Sequence, residues 1–278
     1  MPTTLALPSP GFVSPLAAQL RREPLLSGLG LALLAAVPPT LLALALDGRT
    51  LGGVPVLLKP LKFQLSLGLH MLTLALALGA LDPAVRRGRM ARWAVAAVLT
   101  ATIFEAGWIT FQGARGLPSH FAQTPFGAVM YALMGAFATV LVAATSVLGL
   151  LLLRAPRRAG VEPVLARAAG LGLLVSGLAG LVTGWAISLH GASAVGVVPP
   201  GSPVVPLFGW SGVAGDLRAA HFVGLHAAQV LPLLGLMLRG RDGAPRGVLT
   251  GAALLWSALT LGAMLQALAG LPAIPLGG

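Results

Sequence analysis

Phe126–Leu153 reads FGAVMYALMGAFATVLVAATSVLGLLLL, 28 residues without one charged side chain. A helix crossing the roughly 30 Å hydrocarbon core of a bilayer needs about 20 apolar residues, so this stretch commits the chain to a membrane. Six further runs of the same kind flank it: Ser27–Leu46, Lys62–Leu81, Trp93–Phe111, Leu165–Leu189, Leu217–Leu238 and Gly247–Leu268. Pro38 and Pro39 interrupt the first span. They predict a kinked helix, because neighbouring groups in a bundle can satisfy the freed backbone.

Composition agrees. Of 278 residues, 56% are hydrophobic and 9% charged, and the mean hydropathy is +0.90, which excludes an ordinary soluble domain. The net charge of +11 does not indicate nucleic acid, since the arginines fall in short clusters between apolar runs. Arg21 and Arg22, Arg86 to Arg92, Arg154 to Arg167 and Arg239 to Arg246 share one side of the membrane, against Arg49, Lys59, Lys62, Arg115 and Arg218 on the other. The positive-inside rule puts the N-terminus in the cytoplasm and the C-terminus outside. The expected fold is all-α: a polytopic helical bundle with a cytoplasmic arm over 1–26, one seven-helix domain over 27–270 with outer loops 112–125 and 190–216, and a short outer tail over 271–278. MPTTLALPSPGFVSPLAAQL at the start is broken by prolines and lacks a basic n-region, so it reads as an arm rather than a signal peptide. Cysteine is absent. Any metal or haem would have nitrogen or oxygen ligands.

Polar residues inside spans are functional candidates by default, because hydrocarbon penalises them. They concentrate in the outer half. In the second span Lys59, Lys62, Ser66, His70 and Thr73 fall on one face, within about 80° of arc at 100° per residue; the plain alternative for the two lysines is snorkelling to the interface. In the third span Glu105 and Gln112 point the same way, and Glu105 is protonated, paired or a ligand. A packing salt bridge is its plain alternative. The loop QGARGLPSHFAQTPF carries Arg115, His120 and Gln123 and reads as a folded cap, though a loop histidine is ordinarily just solvated. The long glycine- and proline-rich outer loop from His190 to Asp216 is expected to pack as a lid.

The sixth span opens GDLRAAHFVGLHAAQVLPLLGLM, with Asp216, Arg218, His221, His226 and Gln229. At a rise of about 1.5 Å per residue, His70 lies about 12 Å below Lys62, His226 about 12 Å below Arg218, and Glu105 about 10 Å below Gln112. Two histidines and a carboxylate on three helices thus reach a similar depth.

Three chemistries fit that set. His70 and His226 could take both axial positions of haem b, with Gly68 and Gly224 making room and Lys62, Arg115 and Arg218 meeting the propionates. His70, His226 and Glu105 could instead hold a divalent metal such as zinc, for hydrolysis of a lipid amide or ester. A third reading needs no cofactor: a proton- or ion-coupled transporter of a small anion. Glu105, His221 and Asp216 are the acid–base candidates, with Ser66, Gln112, His120 and Gln229 around them. The bilayer is one partner, and an anionic lipid, a quinone or a redox partner is expected.

KPLKF, the QGARGLPSHFAQTPF loop and GDLRAAHFVGLHAAQVLPLLGL together resemble motifs of an uncharacterised family of bacterial multi-pass membrane proteins. That likeness covers most of Lys59–Met237 and implies the inner (cytoplasmic) membrane. Separately, Ser66 and His70, an acid in the third span and late paired histidines are similar to the seven-helix zinc hydrolases of the alkaline ceramidase and progestin/adipoQ receptor superfamily. Those carry H-x-x-x-H on the seventh span, whereas His221 and His226 are spaced H-x-x-x-x-H on the sixth, about 140° apart on a regular helix.

Overall fold

In hydrocarbon a backbone amide finds no water, so each apolar run closes its own hydrogen-bond ladder as a helix. The structure, a computed structural model, describes residues 13–122, 124–240 and 245–276. Its helices are α1 (Val13–Leu20), α2 (Pro24–Ala35), α3 (Val37–Leu46), α4 (Leu58–Leu78), α5 (Pro83–Arg86), α6 (Arg89–Arg115), α7 (Pro125–Arg154), α8 (Pro163–His190), α9 (Leu217–Leu225), α10 (Ala227–Met237) and α11 (Pro245–Leu268). Seven candidate spans result: α2 with α3, α4, α6, α7, α8, α9 with α10, and α11. This is the expected seven-helix bundle. Residues 1–12 of the N-terminal arm and Gln123 lie outside the described residues.

Several helices overrun their apolar runs, because their ends are fixed by caps rather than by hydropathy. Thr124 caps α7 by accepting from the Gly127 amide at 3.0 Å, with Pro125 in the first turn. α6 continues past Phe111 to Arg115, where Gly116 at φ +68° ends it. The first span is divided at Ala36, just before Pro38, and no residue of α3 is buried. It lies at the periphery.

Packing is uneven across the membrane. The cytoplasmic half is dense, with Met71, Leu74 and Leu78 of α4, Val98 of α6, Leu148 and Leu152 of α7 and Leu173 of α8 in one cluster. Glycines set the spacing there. A Cβ on Gly149 of α7 would lie 2.5 Å from the Leu174 amide nitrogen, and one on Gly177 of α8 would lie 2.5 Å from the Val142 carbonyl oxygen, so small residues on both helices let α7 and α8 pack closely within the protein. Gly68 and Gly224 serve the same end: their Cβ positions lie 2.9 Å from Leu34 Cγ and 2.8 Å from Ala179 Cβ. They face helix contacts, so the room for a porphyrin expected beside them is absent.

The outer half is splayed and roofed. Ala194–Val195 (β1) pairs antiparallel with Gly215–Asp216 (β2), and the Val205 amide donates to the Trp210 carbonyl at 2.8 Å. The loop folds back over the helices, as its composition predicted.

Gly177→Val should destabilise the protein by about 1–3 kcal/mol through overpacking against backbone. Gly107→Val, whose Cβ position has nothing within 4 Å, should leave thermal stability in detergent close to that of the wild type.

Candidate functional site

The sixth span is the wall from which the site is built. It is not one regular helix: α9 stops at Leu225 and α10 starts at Ala227, with His226 at the break. At the break the Gln229 amide bonds to the His226 carbonyl, and carbonyls beside it find other donors. Trp256 Nε1 donates to the Val223 carbonyl at 2.8 Å, and Ser176 Oγ to the Leu225 carbonyl at 2.7 Å. The distortion lets His221 and His226 line the same cavity, despite a spacing that separates them on a regular helix.

That cavity measures about 1170 Å³ and lies between α4, α6, α7, α8 and α9, under Phe208 and Trp210 of the outer loop. Lys62 and Arg218 stand at its outer end. Its middle is apolar, with Leu65 and Leu69 of α4, Val140 and Val142 of α7 and Leu225 of α9. Below it a pocket of about 60 Å³ collects Ser66, His70, Thr145, Ser176, His226 and Gln229. The polar face read from α4 is therefore a real stripe: Lys62 and Ser66 line the cavity, His70 the inner pocket, and Thr73 accepts from Gln229 Nε2 at 3.1 Å.

Hydrogen bonding fixes the proton positions on three histidines. Thr145 and Thr183 each spend their single hydroxyl hydrogen on a carbonyl of their own helix, Leu141 at 2.9 Å and Ala179 at 2.6 Å. The rings that meet those hydroxyls must then donate: His70 through Nε2 at 3.1 Å and His221 through Nδ1 at 2.8 Å. His226 Nδ1 donates to the Phe222 carbonyl at 2.7 Å. In the neutral rings this leaves a lone pair on His70 Nδ1, His221 Nε2 and His226 Nε2.

Some expected members do other work. Asp216, 1% exposed, has both oxygens engaged. It caps α9 through the Arg218 amide, accepts from the Ser211 amide at 3.0 Å and pairs with the Arg218 guanidinium at 2.6 Å. It organises the lid and has no oxygen left for acid–base chemistry. Arg115 donates to Gln112 Oε1 at 3.2 Å and sits over the Phe111 ring, while Gln112 Nε2 donates to the Pro118 carbonyl at 3.1 Å. Both stabilise the loop after α6 and neither lines the cavity. His70 and Glu105 do not meet, and among the described residues no three His, Asp or Glu side chains come together to hold a metal. His70 lines the inner pocket and Glu105 the larger cavity.

His120 is half-buried and hydrogen-bonded, against the ordinary expectation for a loop histidine. Its Nδ1 accepts from Lys59 Nζ at 3.0 Å and lies 3.2 Å from Ser119 Oγ. Burial, with the Lys59 ammonium adding to it, pushes its pKa down to about 3. Tyr131, the only tyrosine in the chain, reads from sequence as a packing residue of the fourth span but lines the cavity, and the stacked pair Phe208 and Trp210 at 4.4 Å are lining residues that the sequence did not single out. Their signal was an isolated phenol in an apolar span and two aromatics in a glycine- and proline-rich loop.

The fold and cavity define a class: a seven-helix membrane protein with a large, laterally apolar cavity in its outer half and a basic mouth. No family model, curated protein or solved structure matches the sequence.

Because His120 stays neutral in the folded loop, the unfolded loop binds an extra proton between pH about 6.5 and about 3. Stability should therefore fall as pH drops through that window. Thermal melts of the wild type should show this loss, and His120→Gln should lack that component.

Proposed function

We propose that the protein binds an amphiphile from the outer leaflet, its anionic head group at Lys62 and Arg218 and its apolar body in the cavity beneath. One observation carries the reading: a single cavity of about 1170 Å³ has apolar walls and two cations at its outer end. A volume of that order exceeds the few hundred to about 1,000 Å³ typical of small-molecule sites, and its walls suit a chain or ring system better than a small inorganic anion. Both cations keep donors in reserve. Lys62 spends one of its three N–H groups on the Phe208 carbonyl at 3.0 Å. Arg218 uses Nε and Nη2 on Asp216 and the Gly209 carbonyl, which leaves Nη1 for a phosphate or carboxylate.

Haem b is a second reading, since it too is an anionic amphiphile, and one observation favours it in altered form. His226, which lines the cavity, gives its Nδ1 hydrogen to a backbone carbonyl and so keeps a lone pair on Nε2, the arrangement that prepares an imidazole to ligate iron. His70 lines only the inner pocket, so axial ligation by His226 alone replaces the expected pair. A Soret band lost in His226→Ala would support haem; protein expressed with haem supply and lacking the band would exclude it.

For the main reading, Lys62→Gln should weaken binding of dioleoyl phosphatidic acid to the purified protein by about tenfold, the worth of one hydrogen bond to a charged group. Native mass spectrometry reads it directly. Equal affinity for wild type and variant would refute the assignment.

A further inference from the structure

We infer that the inner pocket receives a hydroxyl carried near the middle of the bound amphiphile's chain. The inference rests on the amphiphile reading above and narrows its ligand class to hydroxylated acyl chains with an anionic head. Ser66, Leu69, Val142 and His226 line both spaces, so the small pocket adjoins the large cavity. Lys62 and His70 belong to one uninterrupted helix, α4, and at a rise of about 1.5 Å per residue the pocket's histidine lies about 12 Å below the cation. A stearoyl chain whose carboxylate meets Lys62 reaches that depth near its middle. The pocket, at about 60 Å³, is ample for a hydroxyl, since a cavity of about 10–15 Å³ already holds one water.

The hydrogen-bond inventory of the pocket selects the group. Thr145 and Ser176 give their hydroxyl hydrogens to the Leu141 and Leu225 carbonyls. His70 gives its Nε2 hydrogen to Thr145, His226 its Nδ1 hydrogen to the Phe222 carbonyl, and Gln229 one Nε2 hydrogen to Thr73. Three acceptors are left over: His70 Nδ1, His226 Nε2 and Gln229 Oε1. None of the three is among the fully covered side-chain atoms that lack a partner, so each opens on space, and the space their residues share is the pocket. A lone pair left facing hydrocarbon costs free energy that a ligand donor restores. Two donors also remain, the second amide hydrogen of Gln229 and the hydroxyl of Ser66, which bonds to no described residue. A hydroxyl donates to the first set and accepts from the second. A ketone only accepts and leaves all three lone pairs unmet, while a methylene meets neither set. An ammonium would find no carboxylate, since among the described residues no acid lines the pocket.

The test compares stearate with its mid-chain hydroxy and mid-chain keto derivatives, each titrated into full-length protein in detergent. Wild type should bind the hydroxy acid about tenfold more tightly than stearate, and the keto acid should not share that gain. His70→Phe and Gln229→Leu should each remove most of the preference, and continued binding of stearate shows that a variant is folded. If neither variant folds, the wild-type ratios decide alone. Equal binding of stearate and the hydroxy acid, an equal gain with the keto acid, or a preference that survives both substitutions undiminished overturns the inference. Failure of all three acids to bind overturns the amphiphile reading beneath it.

Discussion

A polar group in hydrocarbon that finds no partner costs several kcal/mol, and that penalty arranges the outer half of this protein. Threonines bond back to their own helices and still serve as acceptors for His70 and His221. Carbonyls beside the His226 break are met by Ser176 and Trp256. Lys62 and Arg218 reach the backbone of the lid. Against these satisfied groups, two buried oxygens of the outer half, Gln64 Oε1 and Glu105 Oε1, have no hydrogen-bond partner, and Glu105 lines the cavity.

The same constraint explains the division of the bundle into two halves. The cytoplasmic half brings glycines into backbone contact between α7 and α8 and excludes space. Toward the outside, α4 and α9 stand apart with α7 and α8 behind them, and the gap is the cavity. Asp216 holds this end together. It starts α9, anchors the lid through Ser211 and fixes the direction of Arg218, so a buried acid that resembles a catalyst in sequence is a structural joint.

Hydropathy was enough to place the seven spans, because the bilayer imposes length and apolarity on each helix independently of its neighbours. The polar stripe of α4 was legible for the same reason: a helix shows its faces in its own sequence. What a single helix does not show is which neighbour it turns toward. Glu105 and His70 line different spaces, and Gly68 and Gly224 lie against neighbouring helices. The carbonyls of Val223 and Leu225 beside the break at His226 are met by donors from α11 and α8, residues far away in sequence. The break alone brings His221 and His226 to one cavity. The half-buried place of His120 depends likewise on Lys59, 61 positions earlier.

The central claim is that an amphiphile enters this cavity head-outward, and photo-crosslinking tests it most directly. A phosphatidic acid with a photoreactive group midway along one chain, irradiated with the reconstituted protein, should label peptides of α4, α7 and α9 around Leu69, Val142 and Phe222. Excess unlabelled lipid should compete that labelling away. Labelling confined to outward-facing residues such as Leu42 and Leu255, with no competition, would contradict the account.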